Sequence, residues 1–139
     1  MKIERFEDIE AWRLGRELTA DVYRVTDTGN FTKDFGLRDQ IRRASGSVMH
    51  NIAEGFDSGT NAEFVRFLSY AKRSCTEVQS ELYVALDQRY ISATEFKTLY
   101  EAARLIRSKI GAFIQYLKRY ESDQRAPSRK QRRTVNHEP

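Results

Sequence analysis

The side chains with the clearest chemical potential in this chain are cations. Arg66, Tyr70 and Arg73 recur at i, i+4 and i+7, with Lys72 alongside. On a helix that spacing aligns them along one side. Guanidinium groups contact phosphates and a tyrosine ring can stack on an unpaired base, so the group reads as a nucleic-acid contact. Arg42 and Arg43 offer a second basic row, and Arg129, Lys130, Arg132 and Arg133 a third near the C-terminus. A plainer account pairs Glu63 with Arg66 and Arg73 with Glu77 as surface ion pairs worth about 0.2–0.5 kcal/mol each.

Catalytic chemistries lack their components. His50 and His137 are the two histidines, and no His-Glu-x-x-His helix, Cys-x-x-Cys pair or Gly-rich phosphate loop occurs. Cys75 is a lone cysteine at a core position, where a thiol is usually inert, and it has no partner for an internal disulfide. Glu77 and Glu81 stand one turn apart and could do acid–base work or hold a metal. A di-iron bundle, however, needs glutamates and Glu-x-x-His motifs from several helices. The expectation is a non-enzymatic protein with no cofactor and no metal.

Positioning these side chains falls almost wholly to helices. Before residue 121 there is no proline, and turn-rich stretches occur only at 27–36, 55–61 and 89–92. These three breaks divide four predicted helices. The first runs from about Asp8 to Asp27, with Ala11, Leu14, Leu18, Val22 and Val25 as its apolar stripe. The second runs from about Lys33 to Glu54, with Thr32 as N-cap and Gly55 as a left-handed terminator. Its stripe is Leu37, Ile41, Ala44, Val48 and Ile52.

The third and fourth helices open with capping-box patterns, Thr60-Asn-Ala-Glu63 and Ser92-Ala-Thr-Glu95. Phe64, Leu68, Ala71, Cys75, Val78, Leu82 and Ala85 line one, and Phe96, Leu99, Ala103, Ile106, Ile110, Phe113, Leu117 and Tyr120 the other. Such three-four alternation favours left-handed coiling between helices. The fold class is all-α, an antiparallel four-helix bundle over residues 1–120. A three-helix bundle with a frayed first helix is the weaker alternative.

Residues 121–139 differ in kind. Only Ala126 and Val135 are clearly apolar, too few to offset the entropy of ordering the segment, so it reads as a flexible basic tail. The net charge is +4, from 19 basic and 17 acidic residues in positions 1–120 and five and three in the remainder. No run approaches the roughly 20 apolar residues of a membrane span, and the N-terminus has no secretory-type apolar block. A cytoplasmic protein is expected.

Polar residues border the second helix's stripe unequally. Arg38, Arg42 and Met49 fall on one shoulder, and Gln40, Ser47, Asn51 and Glu54 on the other, with Arg43 just beyond. Ion pairs Asp34–Arg38 and Asp39–Arg42 or Arg43, and an Asn51 bond to a neighbouring helix, would account for part of this.

Several of these stretches together carry a family resemblance. "FEDIEAW" (6–12), "LRDQIRRA" (37–44), "NIAEG" (51–55), "EFVRFLSYA" (63–71) and "RYI" (89–91) resemble, in order and spacing, the four-helix family encoded in 23S rRNA intervening sequences, also labelled S23 ribosomal protein-like. Gln40, Asn51, Glu54 and Gly55 lie within those motifs. Met49-His50 departs from the Pro-Ser often found there, and Arg73 from a common glycine. The resemblance implies homopentameric barrels of four-helix protomers and no established enzymatic activity. It extends distantly to the accessory protein of diversity-generating retroelements, a basic pentamer that binds nucleic acid and its reverse transcriptase.

An oligomer is also expected from the residues. Trp12, Phe67, Tyr70, Leu86, Tyr100, Leu105, Ile114 and Tyr116 lie outside the stripes, more than a monomer comfortably exposes. Trp12, Phe67, Leu86, Tyr100, Ile114 and Tyr116 are the candidate subunit contacts. The expected function is a homo-oligomeric scaffold, pentameric as the resemblance implies, binding RNA or DNA with low sequence specificity. The alternative is a protein-interaction adaptor for a reverse transcriptase or another genetic-element protein.

Overall fold

The computed structural model of the chain describes residues 2–123, with side chains through residue 120. The expected flexible tail, including Arg129, Lys130, Arg132 and Arg133, lies outside the described residues apart from its first three positions. Those three continue a helix. A 3-10 turn (Phe6–Asp8) leads into α1 (Glu10–Thr26), and a second (Gly29–Lys33) leads into α2 (Phe35–Phe56). Then come α3 (Asn61–Asp87) and α4 (Ala93–Asp123). Four helices dominate the described residues, and the fold is all-α.

The helix ends show which local signals win. Residues 6–8 tighten into a 3-10 turn instead of joining α1, because the Asp8 carboxylate accepts the N–H groups of Glu4 (3.0 Å) and Arg5 (3.3 Å). The cap of α2 is Asp34, not Thr32: its carboxylate accepts the Leu37 N–H at 3.1 Å. Thr32 instead donates its hydroxyl to the Gly29 carbonyl at 2.7 Å, inside the second turn. Thr60 caps α3 as expected, accepting the Glu63 N–H at 3.1 Å. At α4 the box closes both ways, Glu95 N–H to Ser92 Oγ at 3.0 Å and Ser92 N–H to Glu95 Oε1 at 2.9 Å.

Gly55 does not terminate α2. It is helical, and the helix runs one residue further; positive φ among the described residues occurs at Gly29, Gly59 and Arg89. Its reason is space: a Cβ there would stand 2.7 Å from Phe67 Cβ and 3.0 Å from Phe64 Cδ1. The absent side chain lets α2 and α3 touch at their shared end. Arg89, at φ 62°, closes α3, with its N–H bonded to the Leu86 carbonyl and the Tyr90 N–H to the Ala85 carbonyl. That is a Schellman ending with arginine where glycine is usual.

The stripes make the core. Leu18, Val22, Ile41, Val48, Ile52, Phe64, Leu68, Leu82, Ile106, Ile110 and Leu117 are all sealed from solvent, while Leu14 and Phe96 are half-buried at its edges. Contacts ascend one helix as they descend the next. Ser47 meets Ser74 and Asp34 meets Tyr90 between α2 and α3; Phe64 meets Phe113 and Tyr83 meets Phe96 between α3 and α4. By these contacts α3 runs antiparallel to α2 and to α4. The two shoulders of α2 serve different partners. Met49 packs on Gly15 of α1, while Asn51 donates to Ser47, whose hydroxyl meets Ser74 of α3 at 2.9 Å. Asn51 thus reaches α3 through a hydroxyl relay.

Candidate nucleic-acid interface

The basic row on α3 is built from its own neighbours. Arg66 pairs with Glu63 at 2.8 Å, as the plainer reading expects. The Arg73–Glu77 pair does not form. Instead the Arg73 guanidinium lies 5.4 Å from the centre of the Tyr70 ring, and that of Arg66 lies 5.8 Å from the same centre. Tyr70 also meets Phe67 edge-on at 6.0 Å. Two guanidiniums therefore occupy the ring that was expected to stack on a base.

Arg42 and Arg43 face elsewhere. Arg42 donates from Nε to the Thr26 hydroxyl at 2.8 Å and covers the Tyr23 ring at 4.4 Å, fastening the end of α1 to α2. The expected pairs from Asp39 to these arginines and from Asp34 to Arg38 are absent; Arg38 bonds the Thr32 carbonyl (3.1 Å) and approaches Asp39 (3.5 Å). Arg43 is exposed beside an open hollow of about 820 Å³ that also receives Gln40, Asp39, His50 and Glu77. Charge of both signs lines it. Glu54 is exposed on the same helix.

A different groove collects cations alone. Between α3 and α4, Ser69, Lys72, Arg73 and Thr76 face Arg107, Ile114, Gln115 and Lys118 across about 460 Å³. It adjoins a second hollow of about 340 Å³ where Lys72 and Arg107 meet Arg104, Ser108 and Gly111. No carboxylate lines either one. The smallness of Gly111 gives Lys72 its seat: the lysine Nζ stands 3.8 Å from where a Gly111 Cβ would be. Arg104 is paired with Glu101 at 2.6 Å, but Lys72, Arg73, Arg107 and Lys118 have no ion pair among the described residues.

Arg104, Arg107 and Lys118 escaped the sequence reading, which followed the apolar stripe of α4. Their signal was present. Residues 104, 107, 111, 115 and 118 recur in three-four steps, so they share a helix side.

The other candidate groups, Glu81 and Cys75, are buried. Glu81 is only 9% exposed, and burial pushes its carboxyl up to about 7; Glu77 raises it further by charge and by a hydrogen bond, while Arg43 opposes. Burial pushes the Cys75 thiol up to about 12. Among the described residues no three His, Cys, Asp or Glu side chains gather as a metal site. No described helix is long and apolar enough to cross a membrane.

The candidate subunit contacts are mostly half-buried. Trp12 packs against Phe6 at 5.1 Å, Tyr100 against Phe96 at 5.3 Å, and Tyr116 against Phe113 and Tyr120; Phe67 and Leu86 are half-buried too. Ile114 is buried within the single chain at 7% exposure. The large apolar side chains most open to solvent are Phe35, Tyr83, Tyr23, Val84 and Leu105, and only Leu105 was among those set aside from the sequence.

Comparison with known proteins places this architecture. No curated protein matches the chain. A crystal structure of a protein of unknown function from the S23 ribosomal protein family of Bacteroides thetaiotaomicron superposes with a TM-score of 0.69 at 20% identity. The alignment covers 76% of this chain and 98% of that one, which establishes likeness of fold. Residues 7–112 match the family described as 23S rRNA-intervening sequence protein, spanning α1 through most of α4. By that match across most of its length, the chain belongs to the 23S rRNA-intervening sequence protein family.

Proposed function

We propose that this protein is a non-enzymatic, cytoplasmic homo-oligomeric scaffold, pentameric as the family resemblance implies, that binds nucleic acid through clustered arginine and lysine with low sequence specificity. One observation carries the reading. Lys72, Arg73, Arg107 and Lys118 converge from two helices on a groove without a carboxylate, although the described chain is nearly neutral overall. Concentrating like charge costs stability through repulsion, and a polyanion offsets that cost. Assembly multiplies the effect, because each copy adds +4 to a shared field. A surface that neutralises several phosphates releases their counterions, so affinity falls steeply with salt.

Fluorescence anisotropy with single-stranded RNA and with duplex DNA at two salt concentrations tests this. Micromolar binding that weakens with salt is expected; no binding even at low salt overturns the proposal. The second reading, an adaptor for another protein such as a reverse transcriptase, is favoured by the exposure of Phe35 (62%) and Tyr83 (50%). Arg66→Glu with Arg73→Glu separates the two. Lost RNA retention with intact assembly supports the scaffold, and unchanged RNA binding with lost protein partners supports the adaptor.

A further inference from the structure

We infer that the nucleic acid this scaffold takes is double-stranded, held by its phosphodiester backbone along the α3–α4 groove, with Lys72, Arg73, Arg107 and Lys118 as the phosphate contacts. The inference rests on the nucleic-acid reading above and adds the ligand's form and the residues that hold it.

The first reason is what the groove contains. Its cations are uncompensated among the described residues, and Thr76 and Gln115 are neutral side chains able to donate hydrogen bonds, while Ser69 already donates its hydroxyl to the Val65 carbonyl at 2.9 Å. That is a lining for phosphate oxygens. Arg73 is also held over the Tyr70 ring, and Lys72 reaches across to Gly111 of α4. Pre-positioned cations lose less entropy on binding than free ones.

The second reason is what the groove lacks. Proteins selective for single strands stack bases on aromatic faces, at about 1–3 kcal/mol per base. The groove itself is lined by no aromatic side chain. Tyr70, beside it, already holds the guanidiniums of Arg66 and Arg73 over its ring. A single strand therefore gains nothing here beyond its charge. A duplex presents both strands' phosphates, one charge per about 1.7 Å of axis against about 3.4 Å for either strand alone. Charge density then decides in favour of the duplex. Along α4 the cations from Arg104 to Lys118 span about 21 Å at about 1.5 Å per residue, enough to follow several phosphates.

The test uses the full chain, a duplex and its separate strand of equal length, and a salt series. Arg107→Gln/Lys118→Gln removes two groove cations at exposed positions. Arg5→Gln/Arg24→Gln removes the same charge from residues paired with Glu7 and Asp21. Circular dichroism checks that both variants stay helical. The wild type is expected to bind duplex more tightly than single strand. The groove variant should lose about tenfold to a hundredfold in duplex affinity near 0.1 M salt, with the log–log salt slope shallower by about two for two lost contacts. The control variant should stay within about threefold of wild type. Equal or tighter binding of the single strand, or an unchanged slope in the groove variant, overturns this inference while leaving nucleic-acid binding standing. Absence of any binding by the wild type overturns both.

Discussion

Glu81 shows how one buried group can outweigh a surface of ion pairs. Its carboxyl stands beside Glu77 with its Oε1 buried, and burial first, then the Glu77 charge and hydrogen bond, raise its pKa from the ordinary 4.5 to about 7. Because the folded-state value is the higher one, the folded chain holds this proton more tightly than the unfolded chain. The stabilisation is fully present below about pH 4.5 and is lost as pH rises through about 7. A shift of that size is an upper bound of about 3 kcal/mol, and solvent screening at the edge of the bundle lessens the part that reaches stability. Urea denaturation of wild type and Glu81→Gln at pH 5 and pH 8 measures it. The wild type should lose about 1–3 kcal/mol relative to the variant over that interval, and a constant difference would refute the coupling.

At the scale of elements, the crossing of α2 and α3 depends on a missing side chain. A Cβ at Gly55 would stand 2.7 Å from the Phe67 Cβ, which no alanine tolerates without a shift of the helices, whereas a Cβ at Gly46 of the same helix would meet only the His50 ring at 3.6 Å. Gly55→Ala should therefore destabilise by about 1–3 kcal/mol through overpacking. Gly46→Ala should be neutral or stabilise by up to about 1 kcal/mol, since alanine is the better helix former. Thermal melts of the two variants decide the matter; equal effects would mean that helix propensity, not packing, governs both positions. The capping boxes and stripes of α3 and α4 needed no such context. Thr60, Ser92 and Glu95 act within one turn, so their roles were readable in the sequence. Gly55 was misread as a terminator because its neighbour Phe67 lies across an interface that no local pattern displays.

For the whole molecule, apolar and basic surfaces make separable demands. Phe35, Tyr83, Val84 and Leu105 remain open to solvent on the single chain, and apolar contacts are not screened by salt. Light scattering coupled to size exclusion should find a multiple of the 16.3 kDa chain, five by the family resemblance. That mass should persist in high salt that releases bound nucleic acid. A 16.3 kDa species at micromolar concentration would end the argument for a shared surface and for pooled charge.

The sequence by itself determined the all-α class, the four helices, the faces they bury and two of their starts. Each follows from a 3.6-residue period or from bonds within a single turn, and such signals survive whatever lies outside them. It also separated the two shoulders of α2, which the structure assigns to α1 and α3. Only tertiary structure decided which cations are free to act. Arg42 is absorbed by Thr26 and Tyr23, Arg73 leaves Glu77 for the Tyr70 ring, and Arg107 and Lys118 come to face Lys72 and Arg73. A charged side chain has several partners within reach, and the choice among them turns on the rotation and register of a neighbouring helix, which sequence spacing within one helix does not encode.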